Sequence, residues 1–164
     1  MQKPSLTYSL VALADDGIGS AARLFELRFG RSVQEIRVLR LVRDRPGITF
    51  TELAGLTRVE RSATSRMLTR LIDAGLVLRT GSPEDARRFT LTITRKGLAL
   101  CARADPLTEE LEALMLAPLT KPQREAFLGM LEKLRAWAGE GYRREVAARF
   151  PEAAPPRGRR AAKE

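Results

Sequence analysis

Histidine is absent from this 164-residue chain, and cysteine occurs only once, as Cys101. The lack of histidine excludes imidazole-based acid–base catalysis, histidine-activated serine or cysteine nucleophiles, and zinc sites that depend on imidazole. A single cysteine excludes an internal disulfide and any metal site built from several thiolates. The sequence also has no glycine-rich phosphate loop. We therefore expect no catalytic residue, metal or cofactor, and the chain is not predicted to be an enzyme.

Long apolar runs are missing as well. No stretch approaches the roughly 18 apolar residues that a membrane span needs. Residues 6–14 follow Lys3 and faintly resemble a signal peptide, but Thr7, Tyr8 and Ser9 dilute the apolar character. We expect a cytoplasmic protein without a membrane partner.

Acidic residues are too few to balance the basic ones. The chain has 29 Lys and Arg against 20 Asp and Glu, a net charge of +9. Such an excess favours a polyanionic partner, either nucleic acid or an anionic membrane surface. An arginine-rich proteome would give the same composition. The positions of the arginines must therefore show whether the excess charge serves to bind a polyanion.

The first half of the chain is helical in pattern. Apolar residues recur at helical spacing over residues 6–29, but Gly17 and Gly19 each cost about 1 kcal/mol relative to alanine. One long helix and two short ones are both compatible with that pattern. Capping boxes at 32–35 and 49–52 begin two further helices, and a third pattern covers 61–74.

The period then changes from helix to strand. Gly75 suits a left-handed helix cap, residues 76–79 read as a short strand, and 89–94 alternate as a half-buried strand. Residues 80–87 between them are rich in turn formers. Three helices followed by a hairpin predict a winged helix-turn-helix, within an α+β fold that is mostly α.

The remainder of the chain is again helical in pattern. Asp105-Pro106 breaks the apolar stripe that begins at residue 98 and reads as an N-cap followed by proline at the first helical position. A third capping box covers 120–123, and the helical signal fades after Gly139. The tail, residues 149–164, is predicted to be basic and disordered.

These patterns predict how the chain is organised. Residues 32–97 form the winged helix-turn-helix domain, and residues 5–31 and 98–148 form dimerisation helices. The apolar stripes over 6–29 and 98–138 are too extensive for an 18.2 kDa monomer to bury. We therefore expect a homodimer with twofold symmetry.

The predicted helix at 61–74 carries the DNA-binding hypothesis. Positions 64, 67, 68 and 71 face inward, and the opposite face carries hydrogen-bond donors: Arg61, Ser62, Ser65, Arg66, Thr69 and Arg70. Arginine can read guanine in the major groove, while serine and arginine can hold phosphates. The alternative is an ordinary solvated helix face, which three arginines and few nearby acids disfavour.

The tip of the predicted hairpin offers a second contact. Arg87 or Arg88 can enter a minor groove, where narrow A·T tracts concentrate negative potential. Asp85 can pair with one of these arginines and support the wing. The alternative is an exposed loop with a surface ion pair of little energetic value.

Residues 32–98 resemble the multiple-antibiotic-resistance regulator (MarR) family of bacterial transcription factors. The matching segments include Pro46-Gly47-Ile48-Thr49, Glu52-Leu53-Ala54, Arg61-Ser62, Ser65-Arg66, Arg70-Leu71, Ala74-Gly75-Leu76-Val77, Asp85-Ala86-Arg87-Arg88, Leu91-Thr92-Ile93-Thr94 and Gly97. The resemblance implies an obligate homodimer, with interlocking terminal helices, that binds pseudo-palindromic double-stranded DNA. It places five residues at or near the major groove and Arg87 or Arg88 at the minor groove; the five are Arg61, Ser62, Ser65, Arg66 and Arg70.

The resemblance also implies a ligand-responsive regulator, most commonly a repressor, that a small aromatic or phenolic acid releases from DNA. Nothing in the sequence identifies the effector site; Arg23, Arg28 and Arg43 are arginines that an anion could find nearby. The alternative function is a winged-helix protein–protein interaction module without specific DNA reading.

The chain departs from the family pattern at two threonines and in its cysteine content. Thr57 and Thr64 occupy positions that are more often aliphatic, which predicts looser or differently filled packing beneath the recognition helix. The peroxide-sensing branch of the family has a cysteine in the first helix, and this chain has none there. We interpret Cys101 as a buried structural thiol rather than a redox sensor.

Overall fold

A computed structural model of the chain describes residues 4–81 and 89–153. It divides into two compact units, Met1–Met115 and Leu116–Glu164. The first contains α1 (Leu6–Phe29), α2 (Val33–Asp44), β1 (Ile48–Thr49), α3 (Phe50–Thr57), α4 (Arg61–Asp73), β2 (Val77–Gly81), β3 (Phe89–Ile93) and α5 (Arg95–Met115). The second contains α6 (Lys121–Ala138), α7 (Glu140–Arg149) and a 3-10 turn at Pro151–Ala153.

The three strands form one antiparallel sheet in the order β1-β3-β2. Leu91 of the central strand pairs with Ile48 on one side and with Arg79 on the other. The winged helix-turn-helix fold is therefore confirmed. The sequence did not predict β1, because two residues are too few to show alternation. β2 extends to Gly81, so Thr80 and Gly81 belong to a strand rather than to the predicted loop.

All three predicted capping boxes are present. The backbone N–H groups of Ser32, Thr49 and Thr120 donate to the side chains of Glu35, Glu52 and Gln123 at 2.8–2.9 Å. Gly75 follows the Ala74 C-cap with a φ of +68°, a left-handed conformation that favours glycine. Local spacing therefore predicted these helix boundaries correctly.

The first helix runs without interruption through Gly17 and Gly19. At Gly17 the terminal methyl of Met115, from the end of α5, lies directly against the α1 backbone. Only Ala21 and Phe25 of α1 are buried. The single long helix is therefore correct, and most of its apolar stripe lies exposed.

The predicted break at Asp105-Pro106 is wrong, because α5 passes through Pro106 as a continuous helix. Asp105 does not cap a helix; it accepts hydrogen bonds from Arg40 Nε at 2.8 Å and Arg43 Nη1 at 2.7 Å, both on α2. The N-terminal capping contact is made by Thr94, whose hydroxyl accepts from Gly97 N–H at 3.0 Å. The predicted domain boundary at 97/98 accordingly falls inside α5.

The core of the first unit joins α1 and α5 to the winged helix-turn-helix, which includes α2. Its fully buried side chains include Ile36, Leu39, Leu53, Leu71 and Leu91. The helices at 5–31 and from 98 onward were predicted to serve dimerisation. The inner parts of α1 and α5 also complete this core.

Cys101 lies in that core with 1% of its surface exposed. Burial raises the pKa of its thiol, so the reactive thiolate is disfavoured. This agrees with the interpretation of Cys101 as a packing residue.

We expect Cys101→Ser to keep wild-type DNA affinity with and without peroxide, apart from a modest loss of stability. Gel-shift titrations of both proteins in reducing buffer and after peroxide treatment would measure this. Peroxide-dependent release of DNA by the wild type alone would contradict it.

The second unit leaves most of its apolar side chains exposed. Leu128, Met130, Leu134 and Trp137 of α6 are about half exposed, and neither helix of this unit buries a residue fully. Although the helical signal of the sequence fades after Gly139, α7 begins at the next residue and covers the end of the helical region predicted at 98–148. The Trp137 ring lies so close to Gly141 that a Cβ there would overlap it.

The first residues of the predicted tail at 149–164 lie in the described structure. Arg149 is the last residue of α7, and the chain continues as the 3-10 turn to Ala153. Residues 154–164 of that tail lie outside the described part of the chain. In residues 4–81 and 89–153, no helix is long and apolar enough to cross a membrane.

Candidate nucleic-acid interface

The recognition helix, α4, has two chemically opposite faces. Thr64, Met67, Leu68 and Leu71 are buried, as predicted from the spacing. The six predicted donors are all exposed along the other face: Arg61, Ser62, Ser65, Arg66, Thr69 and Arg70. The structure thus brings the candidate residues of α4 together on one surface, and their contact with DNA stays a prediction.

The two unusual threonines fasten α3 to α4. Thr57 Oγ1 and Thr64 Oγ1 lie 3.0 Å apart, and both side chains are buried. The Ala54 carbonyl lies 3.1 Å from Thr57 Oγ1, and the Glu60 carbonyl lies 3.2 Å from Thr64 Oγ1. Because each hydroxyl has one proton, one threonine donates to the other, which in turn donates to its backbone carbonyl partner. Hydrogen bonds therefore replace the contact that two aliphatic side chains would make between α3 and α4. Neither of the two threonine hydroxyls is left without a hydrogen-bond partner.

Arg70 is tied to the start of α2. Its Nε donates to Glu35 Oε1 at 2.8 Å, while Ser32 N–H donates to Glu35 Oε2 at 2.9 Å. Burial alone would raise the pKa of Glu35, but the hydrogen bonds from Arg70 and Ser32 outweigh it and lower that pKa. The same carboxylate thus caps α2 and holds the recognition helix.

Arg61 is held on an aromatic surface. Its guanidinium carbon lies 4.7 Å from the centroid of the Phe50 ring, and Phe50 stacks on Phe89 with centroids 6.5 Å apart. On the hairpin side, the Arg79 guanidinium carbon lies 3.7 Å from the centroid of Phe89. We call Arg61, Phe50, Phe89 and Arg79 the Arg–Phe stack. The sequence analysis did not single out Phe50, Phe89 or Arg79 as interface residues.

The remaining donors of α4 differ in how firmly they are held. Ser62 hydrogen-bonds to the N-cap residue Glu60, and Thr69 donates to the Ser65 carbonyl at 3.1 Å. Arg66 makes no ion pair or side-chain hydrogen bond within the described residues. Among the arginines of this face, Arg66 therefore has the fewest intramolecular contacts that restrain its guanidinium.

The predicted wing contacts, Arg87 and Arg88 with their supporting Asp85, lie outside the described residues. For the effector, Arg43 is a poor candidate, because hydrogen bonds from it to Asp44 at 2.8 Å and Asp105 at 2.7 Å occupy it. These contacts raise the pKa of Arg43 further.

A cavity of about 270 Å³ lies at the other end of α4. It is lined by Phe29, Arg31, Ala74, Leu76, Lys96, Ala99, Leu100 and Arg103. Its walls combine apolar side chains with three cations and include no carboxylate. Neither Arg23, Arg28 nor Arg43 belongs to this lining.

Comparison with known proteins agrees with this architecture. The model of the MarR family matches residues 32–89. An HTH-type transcriptional repressor of Mycobacterium tuberculosis is 38% identical over 105 residues, which cover 64% of this chain and 76% of the relative. The homoprotocatechuate degradative operon repressor of Escherichia coli is 30% identical over 132 residues, covering 80% and 88%.

Solved structures give the same result. A crystal structure of a Mycobacterium tuberculosis MarR family protein in complex with salicylic acid has a TM-score of 0.69 at 32% identity. That similarity covers 81% of this chain and 98% of the other. A crystal structure of MarR has a TM-score of 0.70 at 26% identity, covering 79% and 96%. These relatives are transcriptional regulators, and none supports the protein–protein module considered above. From its fold, its two-faced recognition helix and these similarities, the chain belongs to the MarR family of transcriptional regulators.

Proposed function

We propose that the protein is a homodimeric repressor that acts in the cytoplasm on pseudo-palindromic DNA. The recognition helix would enter the major groove and the wing would contact the minor groove. The observation that carries this proposal is the division of α4 into a buried apolar face and an exposed face with three arginines. A helix must dock by one face and offer donors on the other to read base edges.

The dimer is supported by exposed apolar side chains on the terminal helices. Leu6, Tyr8 and Val11 of α1 are 58–67% exposed, and each unit carries further exposed apolar residues near its C-terminal end. Apolar surface of this extent is typical of an interface. A twofold dimer would present two recognition helices to two half-sites.

Sedimentation equilibrium at micromolar concentration should therefore give about twice the 18.2 kDa chain mass. Dilution should not dissociate the dimer readily, because apolar interfaces of obligate dimers are large. A species of 18.2 kDa at that concentration would contradict both the dimer and the palindromic site.

A small aromatic acid is the effector class that we propose. Two relatives are named for such chemistry: one structure contains salicylic acid, and one repressor governs an operon for homoprotocatechuate degradation. In this chain, the 270 Å³ cavity offers apolar walls for a ring and Arg31, Lys96 and Arg103 for a carboxylate. Lys96 also donates to the Ala74 carbonyl at 2.8 Å, so a ligand there would touch the end of the recognition helix.

Selection of bound fragments from the host genome would test the proposal directly. The protein should enrich a short pseudo-palindrome, and salicylate should weaken its retention in a gel-shift assay. Transcription of the adjacent gene should rise when the protein is deleted. Recovery of random fragments with no shared sequence would contradict specific DNA reading, whereas a fall in transcription would contradict repression.

A further inference from the structure

The Arg–Phe stack joins four separate elements at one edge of the DNA-binding unit. Arg61 belongs to α4, Phe50 to α3, Phe89 to β3 and Arg79 to β2. The two rings are nearly parallel, with an interplanar angle of 27°. Through these contacts, the start of the recognition helix is joined to the part of the hairpin strands that lies nearer the connecting loop.

Within residues 4–81 and 89–153, no ion pair occupies the guanidinium of Arg79. Gly81 pairs with Phe89 across the two strands, so Arg79 lies diagonally opposite that ring and can reach over it. A guanidinium that covers a ring with its face keeps its N–H donors in the plane at its rim. Stacking also orders the side chain before a ligand arrives, which lowers the conformational entropy lost on binding.

We propose that Arg79 binds a DNA phosphate, and that Phe50 and Phe89 are positioning residues for Arg79 and Arg61. This inference rests on the proposed function, because it takes the exposed face of α4 as the side that meets DNA. Arg79 lies at the hairpin end of the stack, away from the helix that enters the groove. A phosphate of the strand bordering the groove is therefore its ligand, rather than a base edge.

Arg79→Ala should weaken binding about tenfold to a genome-selected duplex and similarly to a scrambled one. The slope of log affinity against log salt should become shallower by about one unit per subunit, because one phosphate contact is lost. Phe89→Leu should weaken binding by a smaller factor with an unchanged slope, since the charge stays but is no longer held. Arg37→Ala, which removes an exposed arginine of α2, is the matched control and should have no effect.

Arg79→Lys provides a second variant that keeps the charge without the planar group. Arg79→Lys should keep the salt slope and lose affinity severalfold. This variant keeps the test valid even if Phe89→Leu destabilises the protein, which circular dichroism would show as a lower melting temperature. Wild-type affinity and slope for Arg79→Ala would overturn the phosphate contact while the proposed function stands. Wild-type affinity for Arg79→Lys would overturn the role of stacking. A wild-type protein that retains no duplex would overturn the proposed function and this inference together.

Discussion

Glu35→Gln is expected to lower the free energy of unfolding by about 1–2 kcal/mol and to weaken specific DNA binding. The Glu35 carboxylate is 5% exposed and serves two helices at once, through Ser32 at the start of α2 and Arg70 on α4. Glutamine retains the shape and one carbonyl acceptor but loses the charge that attracts the guanidinium. Because Arg70 is half exposed, solvent screening keeps the loss below that of a fully buried ion pair.

Glu52→Gln is the matched control for this substitution. Glu52 caps α3 by the same capping box, accepting from Thr49 N–H at 2.8 Å and Thr49 Oγ1 at 2.7 Å. It makes no ion pair within the described residues. Its substitution should therefore remove a capping charge alone and leave DNA binding unchanged. Equal effects of the two substitutions would show that the Arg70 contact contributes nothing.

The contribution of the Glu35 carboxylate to the free energy of unfolding should decrease in acid. The pKa of Glu35 is lowered below its ordinary value of 4.5, so its contribution to stability is complete above that value. It is lost as the pH falls through the lowered pKa, because the protonated carboxyl no longer attracts Arg70. Urea unfolding of wild type and Glu35→Gln should differ equally at neutral and mildly acidic pH and converge in stronger acid. A difference that grows in acid would contradict the ion pair.

Features set by neighbouring residues could be predicted from the sequence. The three capping boxes, the left-handed Gly75 and the buried face of α4 each depend on residues within a few positions of one another. Helical spacing alone separates Met67 and Leu71 from Ser65 and Arg66. For the same reason, the donor face of the recognition helix can be predicted without any tertiary structure.

Contacts between distant parts of the chain could not be predicted in this way. Arg70 and Glu35 are 35 residues apart, and Arg40 and Asp105 are 65 residues apart. The spacing of Ser32 and Glu35 indicates a capping box but not the contact of Glu35 with Arg70. Asp105 before Pro106 is a pattern typical of a helix start, and no local pattern indicates that Asp105 instead binds arginines of α2. The sequence likewise shows Arg79 only as part of a short strand, since its contact with Phe89 appears only when the hairpin is folded.

Of the three arginines on the exposed face of α4, we expect Arg66 to be the one that reads a base. Contact with the Phe50 ring fixes the orientation of the Arg61 guanidinium, and the hydrogen bond to Glu35 fixes that of Arg70. A bidentate contact with guanine needs a guanidinium that can turn its donor edge toward the base. Arg66 has no competing ion pair within the described residues, so it can adopt that orientation.

Arg66→Ala should therefore cost about 1–3 kcal/mol on the specific duplex and relax base preference at one position of each half-site. Arg61→Ala and Arg70→Ala should weaken binding more evenly across sequences, as expected for residues that hold phosphates or position the helix. Titration of each variant against the specific duplex, single-base variants of it and a scrambled duplex at several salt concentrations would separate these effects, with Arg37→Ala as control. Loss of base preference in Arg70→Ala but not in Arg66→Ala would reverse the assignment. If all three variants kept wild-type affinity and preference, the exposed face of α4 would be only a solvated surface, and base recognition would have to lie elsewhere in the chain.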